Sequence, residues 1–273
     1  MSENSSKGNL SRPGSAFYKE EPTPPYGHPS EEGSQEKSPP RRGAAERRGG
    51  SRFVRVKICG ITRLADGLLA AALGADAIGF VFFEKSPRNI SLKKAAEIAR
   101  EMPKNVAKIG VFVRPSREFA KKAAETTGLD AVQLHNVSRR QDMLKIGSLP
   151  TILAIPVRES GLDAATAKLI PMADVILLDA YHPTKYGGAG KTFNWDFAAE
   201  IATREKIILA GGLTPENIRA AVKTVRPYAV DVSSGVEASP GVKDENKLKR
   251  FFKNIEDFRD GETGKNSGFF SIP

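Results

Sequence analysis

The chain carries one cysteine in 273 residues, Cys59, with one tryptophan and three histidines. A lone thiol excludes an intramolecular disulfide, and without a CxxC pair or a Cys/His cluster the common zinc modules are excluded too. No stretch approaches the roughly 18 apolar residues of a membrane-spanning helix, and the N-terminus lacks the apolar core of a secretion signal. A reducing cytoplasm, with no membrane, metal or cofactor, is the expectation. Also missing from the body of the chain is a dense block of like charge. The formal net charge is +10, yet the one tight basic cluster, Arg41, Arg42, Arg47 and Arg48, lies in the first 52 residues, where nine Lys/Arg meet seven Asp/Glu. The remaining excess is spread over many helix-like faces. That suits attraction for anionic metabolites better than a nucleic-acid track.

Aliphatic residues are scarce in residues 1–52, which are rich in Ser, Gly, Pro and Glu. Such a segment buries too little apolar surface to offset its ordering entropy, so a disordered extension is expected. Residues 259–273 read as a short polar tail. Between them lies a single domain, 53–258.

Within that domain one cycle repeats. Strand-like apolar runs fall at 54–58, 77–82, 106–113, 131–134, 151–157, 175–178, 206–210 and 229–232. Each precedes a stretch of helical spacing, at 64–73, 92–102, 117–126, 139–146, 164–170, 197–203, 215–224 and 243–255. Ser91, Ser116 and Thr214-Pro215-Glu216 read as helix starts. Strand alternating with helix through eight units in about 200 residues predicts a parallel (β/α)8 TIM barrel. The turn after the first strand, Cys59-Gly60-Ile61-Thr62, is no GxGxxG, which argues against an open dinucleotide-binding sheet.

In such barrels the chemistry gathers at the C-terminal strand ends, and the unusual residues of this chain fall there. Alternation along the first strand puts Arg55, Lys57 and Cys59 on one face. Two cations and a thiol make poor core unless that face lines a polar site. Asp231 shares the inward face of strand 8 with Ser233, so a buried Lys57–Asp231 pair is expected. Gly211-Gly212 and Ser233-Ser234-Gly235 end strands 7 and 8, where backbone N–H groups can cradle a phosphate. Arg88 offers a planar fork to a carboxylate, or is a surface arginine. Gln133 and His135 share a face of strand 4, as ligands or as satisfied core polar groups. Cys59 and Asp179, on opposite strands, are suited to act as general base and general acid. The thiol would need its pKa lowered, and Lys57 is placed to do so.

The stretches Lys57–Thr62, Gly79–Phe82 with Ser86–Arg88, and Gln133–His135 closely resemble the phosphoribosylanthranilate isomerases. So do Leu177–Asp179, Gly187–Lys191, Leu209–Leu213 and Asp231–Glu237. The resemblance spans about residues 53–257, with Asn136 where glycine is usual and Ala189 where a hydroxyl residue is common. It implies a cofactor-independent Amadori rearrangement of N-(5′-phosphoribosyl)anthranilate in tryptophan biosynthesis. In that reading Asp179 is the acid and Cys59 the base, and Arg88 holds the anthranilate carboxylate. Gly211, Gly212, Asp231, Ser233, Ser234 and Gly235, with Gln133 and His135, contact the rest of the substrate. The glycines Gly187, Gly188 and Gly190 allow loop 6 to close. A related aminoaldose isomerase and a non-catalytic phosphometabolite-binding barrel are the alternatives; monomer and homodimer are both left open.

Overall fold

The structure, a computed structural model, describes residues 53–157, 161–162, 164–180, 195–259 and 269. Expectations for residues 1–52, for the tail at 259–273 apart from residues 259 and 269, and for Gly187, Gly188 and Gly190, lie outside the described residues. Strands β1 (Arg55–Cys59), β2 (Ala77–Phe82), β3 (Ala107–Val113), β4 (Ala131–His135), β5 (Thr151–Val157), β6 (Val175–Ala180), β7 (Ile207–Leu209) and β8 (Ala229–Val232) close into one barrel in sequence order. Every neighbouring pair is parallel, including β1 with β8.

The period of two along each strand sorts side chains into two layers. Ala77, Ile109, Ala131, Ile152, Val175, Leu177, Ile208 and Ala229 point inward and pack as the lower barrel core. Val56, Ile58, Ile78, Phe80, Leu134 and Leu178 point outward, under the helices. The base is closed by Tyr228, whose ring carries the Arg55 guanidinium 4.6 Å from its centroid. Phe269 is buried edge-on against the same ring.

Three aspartates repeat one device at the N-terminal ends of the strands. Asp76, Asp130 and Asp174 immediately precede β2, β4 and β6. Each carboxylate accepts the backbone N–H of a neighbouring strand: Val56 at 2.7 Å, Lys108 at 2.7 Å and Thr151 at 2.8 Å. These N–H groups would otherwise be left unpaired at the barrel's lower edge.

Helices α1 (Leu64–Ala72), α2 (Leu92–Glu101), α3 (Arg117–Thr127), α4 (Ala164–Ala167), α5 (Trp195–Ala202), α6 (Ile218–Val225) and α7 (Glu245–Lys253) follow the cycle. Ser91 and Ser116 cap as expected, accepting the N–H of Lys94 and Phe119. The expected helix at 139–146 is instead a single 3-10 turn, Arg140–Asp142, followed by extended chain. Met143 and Ile146 bury all the same. The carbonyls of Leu144 and Lys145 are taken instead by Thr151 Oγ1 at 3.3 Å and Arg117 Nη1 at 2.7 Å, which pairs that backbone without helical turns. Helix α6 begins at Ile218 rather than Pro215, because Asn217 uses its side chain to brace the preceding loop. Its Oδ1 accepts Thr214 N–H and its Nδ2 donates to the Gly212 carbonyl, both at 2.8 Å. The last helix starts later than position 243. Lys243 belongs to a small antiparallel hairpin, β9 (Glu237–Ser239) with β10 (Val242–Lys243), and Asp244 caps α7. Among the described residues no helix is long and apolar enough to cross a membrane.

Candidate active site

Above the apolar floor the barrel turns polar. Lys57 is fully buried, and its Nζ donates to Asp231 Oδ2 at 2.8 Å. The pair follows from register, since Lys57 and Asp231 are direct partners across the β1–β8 seam. Burial opposes the ammonium's charge, but Asp231 and Cys59 together outweigh it and hold Lys57 above its ordinary pKa. Asp231 Oδ1 is buried without a hydrogen-bond partner.

One pleat higher on β1 is Cys59, its side chain nearly buried. Gly79, its direct partner on β2, makes room for it. A Cβ at Gly79 would sit 2.9 Å from Cys59 Sγ and 3.2 Å from Lys57 Nζ, so thiol and ammonium end over the same gap. The expected lowering of the thiol pKa is not met. Burial pushes the thiol up, and the opposing pull of Lys57 and Lys243 does not overcome it, with Asp231 adding to the rise. Gly60 then turns the chain with φ +75; a side chain there would strike Arg88 Cδ at 2.6 Å and Ser233 Oγ at 3.0 Å.

Gln133 is buried on β4, and its Nε2 lies 2.7 Å from Nε2 of the half-buried His135. An amide N–H can only donate, so this contact needs a neutral ring protonated at Nδ1. Burial and the Lys57 charge favour that form, pushing the His135 pKa down to about 4 from 6.5. Between those values the unfolded chain takes up a proton that the folded protein refuses. Stability contributed by the neutral ring is present above pH ~6.5 and lost as pH falls toward ~4, with a ceiling of roughly 3 kcal/mol that partial exposure reduces. Urea midpoints measured at pH 7 and 4.5 should therefore fall less steeply in His135→Gln than in the native chain. Equal losses would exclude His135 from the acid response.

Arg88 is not a surface arginine. Its Nε donates to Glu237 Oε1 and Oε2 at 2.9 and 3.1 Å, and its Nη2 to Oε2 at 2.6 Å. Glu237 in turn accepts from Lys243 Nζ at 2.9 Å. Lys243 is buried and also donates to the carbonyls of Cys59 at 2.6 Å and Ser233 at 3.2 Å. Burial draws the Lys243 pKa down against the pull of Glu237. Burial would raise the Glu237 carboxyl, but Arg88 and Lys243 together hold it below its usual range. Neither Glu237 nor Lys243 was marked by the sequence as a site residue, although Glu237 closes one of the stretches shared with the isomerases.

The ends of β7 and β8 meet. Gly211 and Gly212 take φ +84 and +64 in succession, a left-handed pair that glycine alone adopts at little cost. Gly235 packs so closely under loop 7 that a Cβ would fall 1.8 Å from the Leu213 carbonyl oxygen. Ser234 opens a 3-10 turn, Ser234–Val236, and Ser233 Oγ donates to the Cys59 carbonyl at 3.1 Å. The backbone N–H groups of Gly212, Ser234 and Gly235 make no hydrogen bond among the described residues. They form a cluster of open donors suited to an anion.

Asp179 lies two residues beyond inward-facing Leu177, so alternation places it on the inner wall near the top of β6. Strand order puts β6 away from the β8–β1–β2 wall that carries Lys57, Cys59 and Gly79. The fold thus brings Cys59, Arg88, Gln133, His135, Asp179, Gly211, Gly212, Asp231, Ser233, Ser234 and Gly235 to one end of one barrel.

A closed parallel barrel with a thiol, a carboxylate, an arginine and an anion cradle at its C-terminal strand ends defines a (β/α)8 enzyme acting on an anionic small molecule. The family comparison is specific. Residues 56–254 match the family of N-(5'phosphoribosyl)anthranilate (PRA) isomerase. An N-(5'-phosphoribosyl)anthranilate isomerase of Pelobacter propionicus is 46% identical over 212 residues, covering 77% of this chain and 100% of that protein. The crystal structure of the Thermotoga maritima enzyme superposes with a TM-score of 0.69 at 44% identity, covering 75% of this chain and all of the other. A second isomerase structure, in complex with reduced 1-(o-carboxyphenylamino)-1-deoxyribulose 5-phosphate, is 40% identical with a TM-score of 0.65, covering 75% and 100%. The chain belongs to the phosphoribosylanthranilate isomerase family.

Proposed function

We propose that the chain converts N-(5′-phosphoribosyl)anthranilate to 1-(2-carboxyphenylamino)-1-deoxyribulose 5-phosphate with Cys59 as base and Asp179 as acid. The observation that carries this reading is the placement of Cys59 on the inner wall above the Lys57–Asp231 pair, beside an anion cradle and Arg88. Asp179 gives its proton to the furanose ring oxygen as the C1–O bond breaks, and the anilino nitrogen's lone pair forms the iminium. Thiolate Cys59 then removes the C2 proton, and the C–H electrons flow to the iminium to leave an enolamine. Loss of the enol proton and protonation at C1 give the ketone, so the reaction is an isomerisation with no net proton change. The phosphate sits on the N–H groups of Gly212, Ser234 and Gly235, with Gly211 and Ser233 shaping the cradle. Asp231 supports the base through Lys57. Gln133 and His135 line the opposite wall as neutral polar groups.

The substrate is an anthranilate fluorophore, and its loss of fluorescence on rearrangement reports turnover directly. Saturable loss supports the reading, while binding without turnover would turn it into a metabolite-binding barrel. Preference for a different phosphorylated aminoaldose would point instead to a related isomerase. In the same assay Arg88→Ala should raise KM at least about tenfold, the scale of one lost charge-assisted bidentate contact. An unchanged KM would remove Arg88 from the site.

A further inference from the structure

Arg88 already holds a carboxylate before any substrate arrives. Glu237 occupies the side edge of the guanidinium, using Nε and Nη2. The end edge is different: Nη1 makes no hydrogen bond among the described residues, and the side chain is 13% exposed. A guanidinium has five N–H donors in a rigid fork, so one carboxylate on the side edge leaves geometry for a second on the end edge. Two carboxylates on one arginine would repel without a further cation. Lys243 is that cation: its side chain is fully buried, and its Nζ donates at 2.9 Å to Glu237 Oε1, the oxygen that also accepts Arg88 Nε. Arg88, Glu237 and Lys243 together carry one net positive charge, which matches one carboxylate of the substrate. Lys243 also ties this trio to the carbonyls of Cys59 and Ser233. The residue holding the substrate's carboxylate is thereby linked to the base and to the phosphate loop.

We propose that Glu237 and Lys243 are a positioning pair. Glu237 pins the side edge of Arg88 so that its Nη1/Nη2 edge faces the substrate carboxylate, and Lys243 keeps the net charge attractive while fixing that pair against Cys59 and Ser233. This rests on the preceding reading of Arg88 as the carboxylate-holding residue. It makes a prediction opposite to that of simple charge. If Glu237 only weakened the pull of Arg88, removing its charge would leave two cations and lower KM. If it positions Arg88, Glu237→Gln puts an amide N–H where an acceptor is required, frees the guanidinium, and raises KM.

The test is steady-state kinetics of full-length variants in the fluorescence assay. Glu237→Gln is expected to raise KM at least about tenfold with a smaller change in kcat. The Arg88→Ala/Glu237→Gln double variant should match Arg88→Ala within about twofold, because with no guanidinium left there is nothing to position. A KM for Glu237→Gln at or below the native value, with Arg88→Ala impaired, overturns the positioning role and spares the Arg88 reading. A native KM for Arg88→Ala overturns the reading beneath it. If Glu237→Gln fails to fold by circular dichroism, Glu237→Asp keeps the charge but is one methylene too short to reach both cations. Its KM should rise at least about threefold, and a native KM there overturns the proposal equally.

Discussion

Cys59→Ala and Asp179→Asn are each expected to lower kcat by at least about a thousandfold, within the range attributed to a positioned general base or acid. Neither change should unfold the protein. Truncating Cys59 to alanine removes one sulfur from above Gly79, where space is already tight, and Asp179→Asn preserves shape at a partly buried position. Each proton transfer gates the next, because the C2 proton becomes acidic only after ring opening has produced the iminium. The double variant should therefore be little worse than either single one, as expected of groups that act as a unit. The raised pKa of Cys59 adds a pH signature. The thiolate fraction grows only as pH rises toward that pKa, so the ultraviolet thiolate absorbance, read as the difference between the native chain and Cys59→Ala, should climb through and beyond the ordinary thiol range, about 8.5. A Cys59→Ala enzyme that turns over at near-native rates would mean that another group removes the C2 proton.

The second large effect concerns stability. Lys57→Met should cost about 3–5 kcal/mol, the usual penalty for stranding one member of a buried ion pair. Asp231 is 8% exposed and its Oδ1 already lacks a partner, so without Lys57 both oxygens of a buried carboxylate are unpaired. Denaturant midpoints measure the loss. A Lys57→Met/Asp231→Leu double variant should regain much of it, since well-packed apolar residues often replace a buried pair at no net cost. Activity should not return with stability, because the ammonium over Gly79 that favours the thiolate is gone. If the double variant were as active as the native chain, the pair would be floor alone.

Residues that obey the repeating cycle were legible in the sequence. The period of two on β1 and β8 was enough to pair Lys57 with Asp231, and strand-end position was enough to gather Cys59, Arg88 and the glycines on one rim. What stayed hidden breaks the cycle. Lys243 sits in a two-residue strand of a hairpin that no periodicity marks, and it reads as the first residue of a basic helix. Its contacts with Cys59 span 184 positions, and those between Arg88 and Glu237 span 149, distances over which one sequence shows no pattern. The missing fourth helix and the late start of α6 have local causes. A short segment found its buried contacts without helical turns, and Asn217 spent its side chain on a loop. The rise of the Cys59 thiol is not legible there either, because a nearby lysine is visible in sequence and the depth of burial is not.

The three aspartates under β2, β4 and β6 give the barrel a division of labour that would matter to anyone altering it. They fasten strand starts at the end of the molecule opposite Cys59, each through an Oδ2 that accepts a main-chain N–H and is itself held by one cation, Arg259, Lys108 or Lys145. Loops at the other rim can change in length and chemistry without loosening those fastenings. The same chassis can therefore be re-tooled for another anionic sugar from above while its rigidity is tuned separately from below.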